Sequence, residues 1–329
     1  MTAGSPAPTA PTPTTDAASD ATVALEPHPK RKVRAAKYQR PPWQGRPSLP
    51  TMAAKALTLV LVCAAILLPL LVVVSTSLAT PEQLARSGGY VIIPTGISFD
   101  AYAAILSGGV VTRSVLVSIG VTVVGTALSL ISTTLIAYAL SRPGSLFHGP
   151  ILGFVLLTFL FSPGIIPVYL MVKELGLLNQ YASLILPVAV NAFNIVIVRG
   201  FFMNVPDELL DAARIDGASE WRIFGRIMLP LSRAVIAVVG LFYAVSYWNA
   251  FFQALLYLQD SAKWPLQLVL RTYVIQGAPL VVDTGSTTPP PAASIQMAVI
   301  VIAVIPILCV YPFLQRHMTK GVLTGAVKG

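Results

Sequence analysis

Between two long apolar runs the chain carries DAARIDGASEWRIFGRIMLP, Asp211 to Pro230, where three acids and three arginines stand among small residues and are broken by Gly217. Side chains of this kind offer directional ionic and hydrogen-bonding contacts to another surface. They do not compose a reaction centre. The rest of the sequence supplies none either: it has no zinc-ligand spacing, no His-Glu-x-x-His and no Gly-x-Ser-x-Gly. His28, His148 and His317 are scattered outside the apolar runs, and Cys63 and Cys309 lie within them as small core residues rather than a disulfide or metal pair. No catalytic residue and no metal site is assigned.

Two short helices fit the charged stretch. Pro206 suits a first helical turn, and Asp207 and Glu208 complement the positive end of a helix dipole. Leu209, Ala212, Ala213 and Asp216 follow at helical spacing, and Gly217 can close the helix in a left-handed conformation. Ser219 is placed to cap a second helix, which gathers Ile223, Phe224, Ile227 and Met228 on one side and Arg222 and Arg226 on another. Pro230 marks its exit. The small Ala212–Ala213 pair permits another backbone or a large side chain to come close. Physics alone leaves two readings: a knob for a partner's groove, or an amphipathic loop lying at a membrane interface.

A second group has the chemistry for holding a sugar, whose hydroxyls are met by amides and hydroxyls and whose faces stack on aromatic rings. It centres on YAVSYWNAFFQ. Tyr243, Tyr247 and Gln253 fall near one helical face there, with Trp248 and Asn249 rotated away, while Asn191 and Asn194 share a face of the preceding run. Polar groups at membrane depth face the protein interior or an aqueous cavity. Asn191, Asn194, Tyr243, Tyr247, Trp248 and Asn249 are therefore candidates for a translocation path. The same residue types also bond helix to helix or anchor at the membrane surface.

The elements that must position both groups are membrane helices. Of 329 residues 55% are hydrophobic and 11% charged, whereas soluble domains carry about a quarter charged residues. Six runs are near or above the ~20 residues that span a bilayer: about 54–78, 112–140, 150–172, 182–202, 229–256 and 293–314. The fold class expected is an all-α integral membrane protein with six transmembrane helices and a cytoplasmic loop between spans four and five. After the first span, Ser98 is placed to cap a short interfacial helix carrying Phe99, Tyr102 and Leu106. Pro163, Pro167, Pro187 and Pro306 can kink the spans they occupy. Residues 1–50 form a Pro-, Ala- and Thr-rich tail expected to be disordered, and residues 51–329 the transmembrane domain. The tail does not read as a signal peptide, because the first apolar run begins too late.

The net charge of +9 is concentrated in a juxtamembrane cluster, Lys30 to Arg40, and around Arg214 to Arg233. That placement suits orientation and anionic lipid rather than nucleic acid. With the tail inside, 17 Lys and Arg fall on the cytoplasmic side and 5 outside, which is the positive-inside pattern. Both termini and the charged stretch are then cytoplasmic. No Asp or Glu lies within the six apolar cores, so the carboxylate relay usual in proton-coupled pumps is missing.

The charged stretch resembles the EAA loop of permease subunits of binding-protein-dependent ABC importers. The family pattern is Glu-Ala-Ala, three residues, Gly, nine residues, Ile, one residue, Leu-Pro. Here Asp211-Ala212-Ala213, Gly217, Ile227 and Leu229-Pro230 keep every offset, with Asp211 in place of the usual Glu shortening the reach of that carboxylate. The likeness extends from about Ala54 to the C-terminus. PTGISFDAYAAIL, SPGIIPVYLMVKELGLLNQYASLILP, LFYAVSYWNAFFQALLY and YPFLQRHMTKGVLTGAVKG are similar to the carbohydrate-uptake branch, within it to permeases for oligosaccharides or polysaccharide-derived sugars.

The resemblance implies a bacterial plasma-membrane permease subunit, commonly one of a heterodimer, with two ATPase subunits beneath and an extracytoplasmic sugar-binding protein above. It implies that Asp211, Ala212, Ala213, Gly217, Ile227, Leu229 and Pro230 form the ATPase-docking loop, which couples ATPase closure to rearrangement of the spans. The chain has no Gly-x-x-x-x-Gly-Lys-Ser/Thr, so ATP and Mg are expected on the partner ATPase and no cofactor on this chain. The rival from another class is a stand-alone secondary transporter, with sodium held by backbone carbonyls and hydroxyls. A membrane scaffold without transport is a third. Only the importer reading requires the loop to bind an ATPase.

Overall fold

The computed structural model describes residues 48–107, 109–142, 144, 147–274 and 290–325, without the side chains of 310, 311 and 313–325. Residues 1–47 of the expected tail, with its basic cluster, and the side chain of His317 lie outside the described residues. Every regular element among those described is a helix.

The first helix, α1 (Leu49–Ser77), is rich in Leu, Val and Ala and keeps its course through Pro69; Ser75, Thr76 and Ser77 are its buried residues. Apolar side chains left outward are what a helix in hydrocarbon requires. Its end is tied down by polar contacts: Val91 N–H donates to Thr76 Oγ1 over 3.0 Å, and the hydroxyls of Ser77 and Tyr102 stand 2.7 Å apart. After α2 (Pro81–Ser87) comes the expected short helix, α3 (Asp100–Leu106). Ser98 accepts from the Asp100 N–H at 3.1 Å, one residue ahead of the cap position, which Phe99 holds. The helix buries Ala101, Ala104 and Ile105 and leaves Leu106, and Phe99 at its cap, exposed.

At the centre stands α4 (Val110–Ser141). Its buried residues include the small Ser114, Ser118, Gly125, Ser129, Thr133 and Ala137, which recur as a stripe. Small residues let helix backbones approach closely where no hydrophobic force separates lipid from protein. The helices that pack most extensively against α4 are α8 and α12 below, and both belong to broken spans.

Three of the six apolar runs are not straight rods. α5 (His148–Leu160) and α6 (Ile165–Glu174) meet at 119°. α7 (Ala182–Ile185), continued by a tight turn to Val188, meets α8 (Ala192–Met203) at 52°. The charged stretch holds α9 (Asp207–Ile215) and α10 (Glu220–Ile223), the latter extended by a π-turn over Phe224–Met228 and by α11 (Leu229–Leu231). That assembly meets α12 (Arg233–Trp248) at 82°. Beyond α12 lie α13 (Phe252–Tyr257), α14 (Leu266–Val274) and the long α15 (Ala292–Gly325). By length and composition α1, α4 and α15 can each cross a membrane, and the total reaches six when each bent pair is one span.

Each break has a local cause. Pro163 has no N–H to continue α5, and Gly164 takes φ +82°, a left-handed value a side chain resists. Pro187 lies in the turn after α7, and Asn191 is extended before α8. The π-turn sits just ahead of Pro230, whose ring crowds the carbonyl four residues back, and the bend follows at the buried Ser232. Pro167, in the first turn of α6, removes an N–H that had no partner there. Pro306 stands inside α15 without ending it.

Candidate functional site

The charged stretch folds as two helices joined by a left-handed residue. Gly217 takes φ +74°; its N–H donates to Arg214 O at 3.0 Å, and the next N–H, of Ala218, reaches back to Ala213 O at 2.9 Å. These two bonds satisfy carbonyls that the end of α9 would leave bare. Ser219 holds the cap position of α10 with extended backbone, yet its side chain makes no capping bond, contrary to the sequence expectation. Pro206 stands at the cap of α9 rather than within its first turn.

The stretch has two faces. Leu210, Ile223, Phe224 and Met228 are buried in the main apolar cluster, with Ala213, Ile227, Leu229 and Ala218 packed against it. Asp211, Ala212 and Gly217 are exposed. Of the seven expected docking residues, then, Ala213, Ile227, Leu229 and Pro230 are at least partly turned into the bundle, and only three present an open surface. Two residues outside that set are the largest apolar tips there: Ile215 is 86% exposed and Trp221 73%. The signal that could have found them is that they fall off the apolar face of their helices.

Polar contacts run from the stretch to the end of α4. Arg214 pairs with Asp211 at 3.1 Å and with Glu220 at 3.4 Å. The Tyr138 hydroxyl donates to Glu220 Oε2 at 2.5 Å, and the Arg142 guanidinium stands 4.6 Å above the Tyr138 ring centre. The Tyr138 hydrogen bond, then the charges of Arg214 and Arg142, hold the Glu220 carboxyl below its ordinary range against the opposing effect of burial. Glu220 therefore stays ionised at neutral pH.

A second feature is a cleft of 540 Å³ where two of the broken spans open beside α13. Its wall includes the Ser162–Gly164 break, Asn191 at the head of α8, and Gln253 and Phe252 of α13. Phe159 and Phe193, also in the wall, stack with ring centres 6.4 Å apart. No acidic or basic side chain lines it among the described residues. Irregular backbone at membrane depth is tolerated where it lines a cavity.

The six residues expected along a translocation path separate. Asn191 lines the cleft, and its Oδ1 accepts the Asn194 N–H at 3.2 Å to cap α8; Asn194 itself is buried. Tyr243 and Tyr247 are buried with their hydroxyls 2.7 Å from Thr133 and Ser129 of α4. Trp248 is buried and donates Nε1–H to Ala303 O at 3.0 Å. Asn249 is exposed, its amide donating to Val245 O at 2.9 Å. The aromatic trio thus serves helix-to-helix contacts within the chain, and Gln253 shares the cleft with Asn191.

Residues 48–324 match the family of binding-protein-dependent transport system inner membrane components. The chain belongs to that family. The permease is 49% identical over 265 residues to the polygalacturonan/rhamnogalacturonan transport system permease protein YtcP of Bacillus subtilis (strain 168), covering 80% of this chain and 92% of that one. It is equally similar to protein LplC of the same organism, at 49% over 265 residues, 80% of this chain and 90% of the other. Among solved structures it matches a bacterial ABC transporter involved in the import of the acidic polysaccharide alginate, at 30% identity and a TM-score of 0.77, over 84% of this chain and 99% of that chain. This permease is accordingly a membrane-embedded transport component, and the stand-alone secondary transporter and the scaffold fall away.

Proposed function

We propose that this permease crosses the bacterial plasma membrane six times with both termini in the cytoplasm and forms half of the translocation pathway of an ATP-driven importer. A second permease subunit completes the pathway, most simply in a heterodimer. Two separate ATPase subunits use the ATP and Mg, and an extracytoplasmic binding protein delivers the substrate. The cargo is an oligosaccharide carrying uronate units. The observation that carries the docking half of this reading is the outward face of α9: Asp211, Ala212 and Ile215, the last 86% exposed, beside the left-handed Gly217. An apolar tip flanked by charge at the C-terminally capped end of a short helix suits a groove on a partner.

The uronate reading is supported by the acidic sugars named for the relatives and by the cleft. Among the described residues its wall carries no acidic side chain to repel a carboxylate, and the N-termini of α6 and α8 border it at Gly164 and Asn191. Half-helix N-termini at membrane depth favour anionic groups. The stacked Phe159 and Phe193 and the amides of Asn191 and Gln253 supply neutral sugar contacts.

The test is purification of the complex with wild-type permease beside Ala212→Asp and Ile215→Asp, followed by uptake of an oligogalacturonate into proteoliposomes with binding protein present. Retention of an ATPase by the wild type and its loss from both variants is the expected result. Ala213→Asp is a poorer probe, because Ala213 packs against the bundle. An ATPase held equally by all three chains overturns the docking surface, and uptake of neutral oligosaccharides alone overturns the uronate assignment.

A further inference from the structure

Tyr138 gathers contacts from three separate parts of the chain. The residue that closes its own helix, Arg142 just past α4, lays its guanidinium over the ring and donates Nη2–H to the hydroxyl at 3.1 Å. From the end of α8, Phe202 meets the ring edge-on at 6.3 Å between centres. From the charged stretch, Phe224 packs at 4.9 Å and Glu220 accepts the hydroxyl proton's hydrogen bond. A tyrosine at a membrane surface needs only one polar end in water. This one is instead held on its ring and at its hydroxyl by residues up to 86 positions away in sequence.

The same helix carries the contact onward. About one and a half turns nearer the centre, the Thr133 hydroxyl meets Tyr243 of α12 at 2.7 Å, and Tyr243 in turn accepts the backbone N–H of Asn191 at 3.2 Å. Asn191 is the extended residue at the break before α8 and lines the cleft. One turn further, Ser129 meets Tyr247, whose hydroxyl donates to Ile185 O on the other side of that break. Continuous packed contacts therefore join the charged stretch to the irregular backbone beside the cleft.

We infer that Tyr138 is a positioning residue: it fixes α4 to the charged stretch, so that displacement of the stretch moves α4 and, through Thr133 and Tyr243, the helix break at Asn191. The inference rests on the reading of the stretch as the ATPase-docking loop. The outer pairs of the network add little, since the Arg214 and Glu220 side chains are 46% and 56% exposed and surface ion pairs contribute weakly. The ionised hydrogen bond at Tyr138 and its aromatic packing carry the link.

Spatial continuity alone is not coupling, and a double-mutant cycle measures the difference. The complete importer is reconstituted with Tyr138→Phe, Glu220→Gln or both, and two quantities are read: ATPase retained by the complex, and sugar imported per ATP hydrolysed. Each single variant is expected to retain the ATPase and to import about fivefold less per ATP, the low end for one link between two sites. The double variant is expected to be no worse than either single one, because Tyr138→Phe removes the bond and Glu220→Gln removes the charge that strengthens that same bond. Tyr243→Phe is expected to shift the ratio in the same direction. Should Tyr138→Phe fail to assemble, Glu220→Gln, at the exposed end of the bond, gives the same reading. An unchanged ratio, additive losses, or loss of the ATPase from Glu220→Gln overturns the inference while leaving docking intact. A wild-type chain that holds no ATPase overturns the docking reading with it.

Discussion

The Tyr247 ring occupies the space that a side chain at position 125 would need: a methyl group on Gly125 would stand 2.8 Å from its ring carbons. The ring cannot swing aside freely. Its hydroxyl meets Ser129 at 2.7 Å and donates to Ile185 O at 3.3 Å, and the residue is buried.

Gly125→Ala is therefore expected to lower stability by about 1–3 kcal/mol through overpacking. Tyr247→Leu in the same chain should recover part of that loss, because the ring is gone, though it forfeits the Ser129 contact. The check is the melting temperature of the four purified chains in one detergent. Independent, additive losses would contradict this account of the α4–α12 contact.

At Gly217 the constraint is conformation and not space. A Cβ there would meet nothing within 4 Å, but φ is +74°. Asn, which tolerates the left-handed region, should retain most uptake, whereas Val should lose about 1–2 kcal/mol of local stability. Pro should abolish uptake while the protein stays in the membrane, since it removes the N–H that bonds Arg214 O and cannot adopt this φ. Uptake at matched expression ranks the variants Gly, Asn, Val, Pro.

Glu220 sets a pH dependence of known sign. Its carboxyl is depressed from 4.5, first by the Tyr138 hydrogen bond and then by Arg214 and Arg142. A depressed carboxylate contributes fully above its unfolded value and loses that contribution as pH falls through the folded one. The stability difference between wild type and Glu220→Gln should thus be constant from about pH 8 to about pH 5.5 and shrink below about pH 4.5. Melting curves of both chains across that range decide it, and a difference that grows toward acid would reverse the assignment. The side chain is largely exposed, so the difference will be small at high salt.

Much of this architecture is legible before any coordinates are seen, and the rest has a physical reason for staying hidden. The runs around α1, α4 and α15 stand out because twenty apolar residues have few other uses. Gly217 is legible as a helix stop because a left-handed residue after an alanine pair leaves little choice. The breaks at Gly164 and before Asn191 escape a hydropathy reading, which registers apolar content and not direction. Pro163 and Pro187 lie at breaks, but Pro306, in an equally apolar run, interrupts nothing. Tyr243 and Tyr247 read equally well as sugar contacts or as helix bonds until Thr133 and Ser129, more than a hundred residues away, are placed opposite them. Tyr138 gives no sign of its partner, because Glu220 lies 82 residues on.

The paired hydroxyls between α4 and α12 have a mechanical consequence. Two contacts a turn apart fix not only the distance between these helices but their rotation and register, so neither can roll or slide without breaking both. Freedom is left at the short joints: Ser162 to Gly164 between α5 and α6, Ala189 to Asn191 before α8, and Ser232 before α12. A conformational cycle in such a chain swings stiff segments about a few backbone torsions, at a cost set by those joints rather than by the bending of long helices.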